Sequence, residues 1–405
     1  MSYTSPSILW EVTKILFWLV ACLPLYTFLG YGILLYCLVT FKRLTGRGKK
    51  EAEVNEEEDE GQLPTMTLMV CAYNEEDVVE EKLANTLALD YPKDKLRIMW
   101  VTDGSDDNTN QLLKKHAGVD VVFTPERRGK SAAMNHGMAQ AKSDIVVMTD
   151  ANTWLNAESL RVIARLMRDP KVGCVSGEKK VVAQGEGQTA AKGEGVYWKY
   201  ESQLKRWDSE LYSAMGAAGE LCAIRRELYK PLPEDTLLDD FIMSMETVRD
   251  GYRIAYTSEA YAVEHGSANM EEESKRKRRI AAGGLQSCWR LRGLMNPFRY
   301  PVVAFQFVSH RVLRWTVTPF AMMALIPLNV IMVFASAGLI YDIIWIFQIV
   351  FYAAATAGYV LSLRGRKNKF LYIAYYFLFM NLNVFRGIKY LIGKHGGTWE
   401  KSRRA

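Results

Sequence analysis

Charged and apolar residues are segregated along the chain. Residues 15–41 carry no charged side chain, and a helix needs about 20 apolar residues to cross a bilayer. Three more apolar stretches follow at about 316–337, 339–361 and 370–391. The pattern predicts a membrane protein in which one large polar region separates an N-terminal helix from a C-terminal group of helices.

The polar region alternates short apolar runs with helical patterns. Strands are predicted at 65–73, 96–103, 119–125 and 144–150, and each is followed by an amphipathic helix pattern. This alternation implies right-handed crossovers and a mostly parallel sheet that is covered on both faces. We therefore predict an α/β domain whose ligands bind at the carboxyl ends of the strands.

Polar residues concentrate at those strand ends. Glu75 follows the first strand, Asp103 ends the second, and Asp150 ends the fourth, with Asn152 close behind. Each residue alone is explained by a turn or a helix cap. Together on one rim, their oxygens favour a divalent cation that bridges phosphates. The chain has no GxGxxG or Walker A loop, which argues against a dinucleotide or P-loop site.

Lys130 in "PERRGK" follows the third strand and is a candidate partner for phosphate. The alternative is an ordinary basic residue at a helix start, a position that the helix dipole disfavours. The net charge of +6 is spread over a mixed-charge sequence, and no nucleic-acid partner is expected. The six scattered cysteines are interpreted as reduced core residues.

The charges that flank the apolar stretches predict an orientation. Basic residues at 42–50 and 364–369 place both segments, and the domain between them, in the cytoplasm. The expected location is therefore the plasma or inner membrane, with several crossings. The polar residues in the last stretch and the basic tail at 394–405 conflict with a simple fourth crossing. A re-entrant or interfacial segment stays open as the alternative.

Six motifs, in this order and spacing, resemble the family 2 glycosyltransferases, in the membrane branch that includes hyaluronan, cellulose and poly-N-acetylglucosamine synthases. The motifs are "CAYNEE" (71–76), "VTDGSDDNT" (101–109), "RRGKSAAMNHG" (127–137), "TDAN" (149–152), "GAAGELCAIRREL" (216–228) and "LLDDF" (237–241). The resemblance implies a GT-A fold, a nucleotide-sugar donor that is usually a uridine diphosphate sugar, and Mg²⁺ or Mn²⁺ as cofactor.

The resemblance also implies roles for individual residues. On the donor side these are Ala72, Tyr73 and Glu75 in a uridine pocket, Asp103 at the uracil, Lys130 near the phosphates or uracil, and Asp150 with Asn152 at the metal. Asn152 departs from the family pattern, because a neutral amide replaces the usual second aspartate. The resemblance assigns Asp240 as the base that deprotonates the acceptor, and it assigns Gly219 to the acceptor side.

The stretch "RKRRIAAGGLQ" (276–286) stands where the family has a QxxRW motif at the membrane surface. Arg279 keeps the arginine, which implies a contact with the donor diphosphate, while Ile280 replaces the tryptophan by the acceptor. A helix lying on anionic lipid heads is the alternative. Trp198 is a further candidate for stacking on the acceptor, although an aromatic helix face is more often packing.

The predicted function is inverting transfer of a sugar to a growing glycan, in exopolysaccharide or cell-surface polysaccharide synthesis. Single transfer to a lipid-linked acceptor and a non-catalytic nucleotide-sugar-binding subunit are the alternatives. Membrane lipids are expected partners, and an accessory subunit or an oligomer stays open. The predicted segments are a transmembrane helix (8–41), a charged linker (42–64), a GT-A domain (65–268), interface helices (269–314), transmembrane helices (315–393) and a basic tail (394–405).

Overall fold

A computed structural model describes most of the chain. The described residues are 8–46, 62–182, 188–267, 269–366 and 368–393. Most of the predicted charged linker and the predicted basic tail lie outside these residues.

One mixed sheet organises the central region. Its strands are β1 (Met66–Ala72), β2 (Leu96–Asp103), β3 (Val119–Thr124), β4 (Ile145–Asp150), β5 (Thr153–Leu155), β6 (Val172–Val182), β7 (Cys222–Arg225) and β8 (Arg253–His265). Their order is β3-β2-β1-β4-β7-β6-β8-β5. The first four strands are parallel, as the alternating pattern predicts. β7 runs antiparallel to β4 and β6, and β5 runs antiparallel to β8.

Helices cover the sheet and extend beyond it. They are α1 (Ile8–Leu25), α2 (Tyr31–Leu44), α3 (Val79–Leu87), α4 (Thr109–Leu113), α5 (Lys130–Gln140), α6 (Ser159–Met167), α7 (Gln188–Leu211), α8 (Asp239–Arg249), α9 (Met270–Arg290), α10 (Pro301–Phe307), α11 (Leu313–Trp315), α12 (Val317–Phe334), α13 (Leu339–Leu363) and α14 (Lys369–Ile392). A π-helical turn, Tyr26–Gly30, joins α1 to α2.

Burial explains the parallel half of the sheet. All seven residues of β1 are buried, because helices lie on both faces of the sheet and leave no face for polar side chains. α5 approaches closely at Gly137, where a Cβ atom would lie 2.4 Å from the sulfur of Met69. The resulting α/β fold is GT-A-like, as predicted, with long apolar helices at both ends of the chain.

Three helical segments in the described residues are long and apolar enough to cross a membrane: Ile8–Leu44, Val317–Phe334 and Leu339–Leu363. α14 is not among them, in keeping with the polar residues that left its crossing open. It packs instead along α9, where the Tyr376 hydroxyl donates to Glu273 at 2.8 Å. A Cβ atom at Gly387 would lie 2.8 Å from the Cβ of Ala281.

Candidate active site

The strand register brings the predicted polar residues together. Cys71 in β1 pairs with Asp150 in β4, and Ala72 pairs with Thr102, the residue before Asp103 in β2. Because these strands are parallel, their carboxyl ends meet at one edge of the sheet. The structure therefore places Ala72, Asp103 and Asp150 on one rim.

Two loops on this rim are fastened to each other. The Asn74 side chain donates to Asp106 at 2.6 Å and accepts from the Asp106 backbone at 3.0 Å. Asn74 adopts a positive φ of 52°, which asparagine tolerates better than most residues. The Glu75 backbone donates to the Thr109 hydroxyl at 2.9 Å, and the Glu75 side chain is buried. These contacts fix the loops after β1 and β2 as one unit.

Asp103 lies buried beneath this unit. Its carboxylate accepts from the backbone nitrogens of Arg128 (3.0 Å) and Gly129 (2.6 Å). The guanidinium of Arg127 stacks on the Tyr73 ring, 3.7 Å from its centroid. Two residues predicted for the nucleotide, Tyr73 and Asp103, thus lie on one side of the rim, and Arg127, which was not predicted, adds a cation there.

A recess lies beside this region, and ionisable groups converge on it. Lys130 Nζ contacts Asp150 Oδ1 at 2.8 Å and Asp239 Oδ2 at 3.5 Å. A Cβ atom placed on Gly219 would lie 3.2 Å from Asp240 Oδ2 and 3.6 Å from Lys130 Nζ. The lining of the recess includes all five of these residues. Gly219 therefore keeps open the space between a cation and a carboxylate.

The charges in the recess shift one another's titration. Burial and the neighbouring Asp239 carboxylate raise the pKa of Asp240 to about 7. Burial alone would lower the pKa of Lys130, but Asp150 and Asp239 raise it well above its usual range. Burial would raise the pKa of Glu220, yet the Lys179 ammonium outweighs that effect and lowers it to about 2. Asp240 is thus a carboxylate that can exchange a proton near neutral pH.

Asp150 and Asn152 offer a carboxylate and an amide oxygen at the same rim. Within the described part of the chain, no cluster of three or more His, Cys, Asp or Glu side chains is arranged to hold a metal. Mg²⁺ commonly binds through one or two carboxylates together with substrate phosphates. The donor set therefore fits a divalent ion that is shared with a diphosphate, and it does not fit a cage built from protein ligands alone.

The sequence of this region matches a known family. Residues 67–232 match the model for glycosyl transferase family 2. The chain carries a family 2 glycosyltransferase domain.

Curated relatives agree with this assignment. A poly-beta-1,6-N-acetyl-D-glucosamine synthase of Staphylococcus aureus is 37% identical over 136 residues, which is 33% of this chain and 32% of that protein. A probable glycosyltransferase, YdaM of Bacillus subtilis, is 28% identical over 241 residues, covering 55% of this chain and 56% of the relative. The chain thus matches between about a third and about half of the length of these relatives.

A solved structure resembles the whole arrangement. The mannosyltransferase PcManGT from Pyrobaculum calidifontis, in complex with GDP-Man and Mn²⁺, aligns with a TM-score of 0.66 and 22% identity. The alignment covers 94% of this chain and 99% of that one. At this identity the likeness establishes the fold, including the apolar helices beside the family 2 domain.

The remaining candidates are Trp198 on the acceptor side, Arg279 on the donor side and Ile280 on the acceptor side, and none of the three is among the residues that line the recess. Trp198 in α7 is half-buried, and its ring lies 5.2 Å from Lys179 Nζ, the group that pairs with Glu220 at 2.5 Å. Arg279 and Ile280 are half-buried on α9. The basic stretch at 276–286 is more enclosed than a helix resting on lipid, because Arg276 and Lys277 are both buried.

Three residues of the family 2 domain and its flank were missed as site residues by sequence reasoning. Asp239 and Glu220 each stand next to a residue that was singled out. The fold places Asp239 in the lining of the recess and brings the Glu220 charge close enough to raise the pKa of Asp240. Gln286 accepts from the Leu237 backbone at 3.0 Å and donates to the Asp235 carbonyl at 2.8 Å. These bonds fasten α9 to the segment that leads into Asp239 and Asp240.

Proposed function

We propose that the family 2 domain transfers a sugar from a nucleotide diphosphate sugar to a glycan, with inversion at the anomeric carbon. The observation that carries this proposal is the recess in which Asp240, Lys130 and Asp150 converge around the open space at Gly219. A base, a cation and a metal-ligating carboxylate are the groups that such a displacement needs.

Asp240 acts as the base in this proposal. Its carboxylate takes the proton of the acceptor hydroxyl while that oxygen bonds to the anomeric carbon and the nucleotide diphosphate leaves. A base is most effective when its pKa lies near the operating pH, and the Asp240 pKa of about 7 meets that condition. The space at Gly219 lets the hydroxyl approach between Asp240 and Lys130.

The donor lies along the rim. Tyr73, Glu75 and Asp103, with the end of β1 at Ala72, hold a uracil-type base and its ribose, and Lys130 compensates charge on the diphosphate. Asp150 and Asn152 would hold Mg²⁺ or Mn²⁺, which supplies Lewis-acid stabilisation of the leaving diphosphate. We assign Arg279 on α9 to the same diphosphate. The relative PcManGT was solved with GDP-Man and Mn²⁺, so a guanosine donor is tested beside the uridine donors.

Polymer synthesis is the first candidate reaction, because the relative in Staphylococcus aureus is a poly-beta-1,6-N-acetyl-D-glucosamine synthase. Single transfer to a lipid-linked acceptor is the second candidate, and Ile280 favours it. An aliphatic side chain there offers no aromatic face on which a sugar can stack. Trp198 and Gly219 contact the acceptor in either case. Mass spectrometry of the products measures chain length and separates the two.

Release of nucleotide from donor sugars tests the proposal. Purified full-length protein is given uridine and guanosine diphosphate sugars with Mn²⁺ or Mg²⁺. We expect release by the wild type and a loss of about 100-fold or more in Asp240→Asn, in keeping with the contribution of a general base. Asp250→Asn is the matched control, since Asp250 is exposed just beyond the other end of α8 and pairs with Lys230 at 2.5 Å. Equal release by wild type and Asp240→Asn would contradict the role of Asp240 as base. No release with any donor would contradict the enzymatic proposal and favour a nucleotide-sugar-binding subunit.

A further inference from the structure

One buried lysine lies directly behind the rim. Lys82 belongs to α3, and its side chain has no exposed surface. Its ammonium donates to the Thr149 hydroxyl at 3.0 Å and to the Thr153 carbonyl at 2.6 Å, and it lies 3.5 Å from the Thr153 hydroxyl. No carboxylate among the described residues forms an ion pair with it. The hydrogen-bond partners of this buried amine are therefore neutral oxygens.

The two threonines enclose the turn that carries the metal-ligand candidates. Thr149 precedes Asp150 at the end of β4, and Thr153 follows Asn152 at the start of β5. The Thr153 hydroxyl donates to the Asp150 carbonyl at 2.9 Å, and the two threonine hydroxyls lie 3.0 Å apart. Through these bonds Lys82 holds both ends of the turn from Asp150 to Asn152.

The same network reaches the acceptor side of the recess. The Thr149 hydroxyl donates to the Glu220 carbonyl at 2.9 Å, and Glu220 follows Gly219 directly. The loop beside the base and the turn beside the diphosphate are thus joined through Thr149. A shift of the Lys82 ammonium would disturb both.

Burying an ammonium without a counter-charge opposes folding. Burial lowers the pKa of Lys82 to about 7, and Asp150 offsets part of this effect. An apolar side chain of similar length would fill the site at lower cost in folding free energy. A lysine at this position therefore serves something other than the stability of the fold.

We propose that Lys82 is a positioning residue for donor binding. Its side chain fixes the Asp150–Asn152 turn and ties that turn to the Gly219–Glu220 loop. This inference rests on the proposed function, because it assumes that the turn binds a metal and a nucleotide diphosphate. Residues that orient metal ligands from behind typically change metal affinity or activity by about 10-fold to 100-fold when they are mutated.

The same helix provides a matched control. Asn85 lies one turn further along α3, and its amide bridges the carbonyl and the nitrogen of Leu155 at 2.8 and 2.9 Å. It therefore joins α3 to β5 as Lys82 does, but at the end of the strand away from Asp150. Asn85→Ala removes the hydrogen bonds between α3 and β5 and leaves the contacts of the Asp150–Asn152 turn in place.

The test compares Lys82→Met, Asn85→Ala and Asp150→Asn in the full-length protein. Calorimetry measures the affinity for UDP or GDP, whichever binds the wild type, with and without Mn²⁺. Thermal unfolding is recorded without metal or nucleotide. We expect Lys82→Met to keep or raise the Tm and to lose about 10-fold or more in Mn²⁺-dependent nucleotide affinity. Asn85→Ala should lower the Tm and keep that affinity.

Thr153→Val provides a second route if Lys82→Met does not fold. It removes the hydroxyl bond to Asp150 and leaves the lysine in place, and we expect the same loss of Mn²⁺-dependent affinity at a smaller size. If folded Lys82→Met or Thr153→Val keeps wild-type affinity while Asp150→Asn is impaired, the role of Lys82 is overturned and the proposed metal site stands. Unchanged Mn²⁺-dependent affinity in Asp150→Asn overturns the proposed metal site itself.

Discussion

At the scale of single residues, the environment of Asp240 sets its chemistry. It lies in the first turn of α8 with Asp239, a position that the helix dipole favours for carboxylates. Burial and the second carboxylate act in the opposite direction and keep its pKa near 7. The same residue type in solvent would be ionised at every physiological pH and would be a weak base.

A pH profile tests this interpretation. The ionised form is the base, so activity depends on the fraction of Asp240 that has lost its proton. Because the pKa is raised to about 7, kcat/KM for the donor should fall as the pH drops through 7, by about 10-fold per unit further down. The rate of nucleotide release between pH 5.5 and 8.5 measures this. A flat profile down to pH 5.5 contradicts the role of Asp240.

Gly219 gives a second prediction at this scale. In Gly219→Ala the added methyl group would lie 3.2 Å from Asp240 Oδ2 and 3.6 Å from Lys130 Nζ, in the space proposed for the acceptor hydroxyl. We expect kcat/KM for the acceptor to fall by about 10-fold to 100-fold, as small displacements at reacting atoms do. Nucleotide affinity should stay within twofold. Gly293→Ala is the control, because a Cβ atom there meets no atom within 4 Å. Full transfer by Gly219→Ala argues against the acceptor path.

At the scale of elements, α9 is fastened to the segment that leads into Asp240, the proposed base. Gln286 bonds to both Leu237 and Asp235, and a Cβ atom at Gly283 would lie 2.5 Å from Leu238. The other face of α9 is covered by α14. A basic stretch that composition alone assigns equally well to a lipid surface thus has a defined place beside the recess.

Gln286→Ala tests this connection. It removes two hydrogen bonds from the 235–237 segment, so the Asp240 side chain should lose its fixed position. We expect kcat to fall by about 10-fold with little change in nucleotide affinity. Trp289→Ala is the control, since Trp289 is 70% exposed on the same helix. If both variants turn over alike, α9 does not position the base.

At the scale of the whole molecule, a buried polar network joins the N-terminal apolar helix α2 to the family 2 domain. Glu201 in α7 pairs with Arg311 at 2.6 Å and Arg314 at 3.1 Å. Asp208 lies about two turns further along α7. It accepts a hydrogen bond from Tyr31 of α2 and pairs with His310. Arg311 also donates to the Met215 carbonyl at 2.9 Å, just before the Gly216–Gly219 segment. The apolar helix α2 and the segment that leads to Gly216–Gly219 are therefore joined through one network.

The orientation of the apolar helices is open to a labelling test. We propose that the family 2 domain faces the cytoplasm and that the turn between α12 and α13 faces outside. Cys22 and Cys37, which are exposed, are first changed to serine. Single cysteines are then introduced as Lys93→Cys and Ala335→Cys. An impermeant maleimide added to intact cells should label position 335 and leave position 93 unlabelled until the cells are opened. The reverse pattern contradicts the proposed orientation.

Much of this organisation follows from the sequence alone. The alternation of apolar runs and amphipathic patterns determined β1 to β4, because period and burial are local properties of a strand or helix. The motifs indicated the family and the rim residues Asp103 and Asp150. The long uncharged run at 15–41 likewise indicated an apolar helix without any knowledge of its neighbours.

Tertiary structure alone decided the rest, because contacts between distant segments leave no local pattern. Lys82 has the appearance of a solvated lysine on an amphipathic helix, yet the fold buries it behind Asp150. Arg276 has the appearance of a surface charge, yet the fold encloses it. The pKa of Asp240 depends on burial and on neighbouring charges such as Glu220. Asp240 and Glu220 come together only because the fold places β7 beside β4. The sequence determined which chemical groups this protein has, and the packing decided their ionisation and their partners.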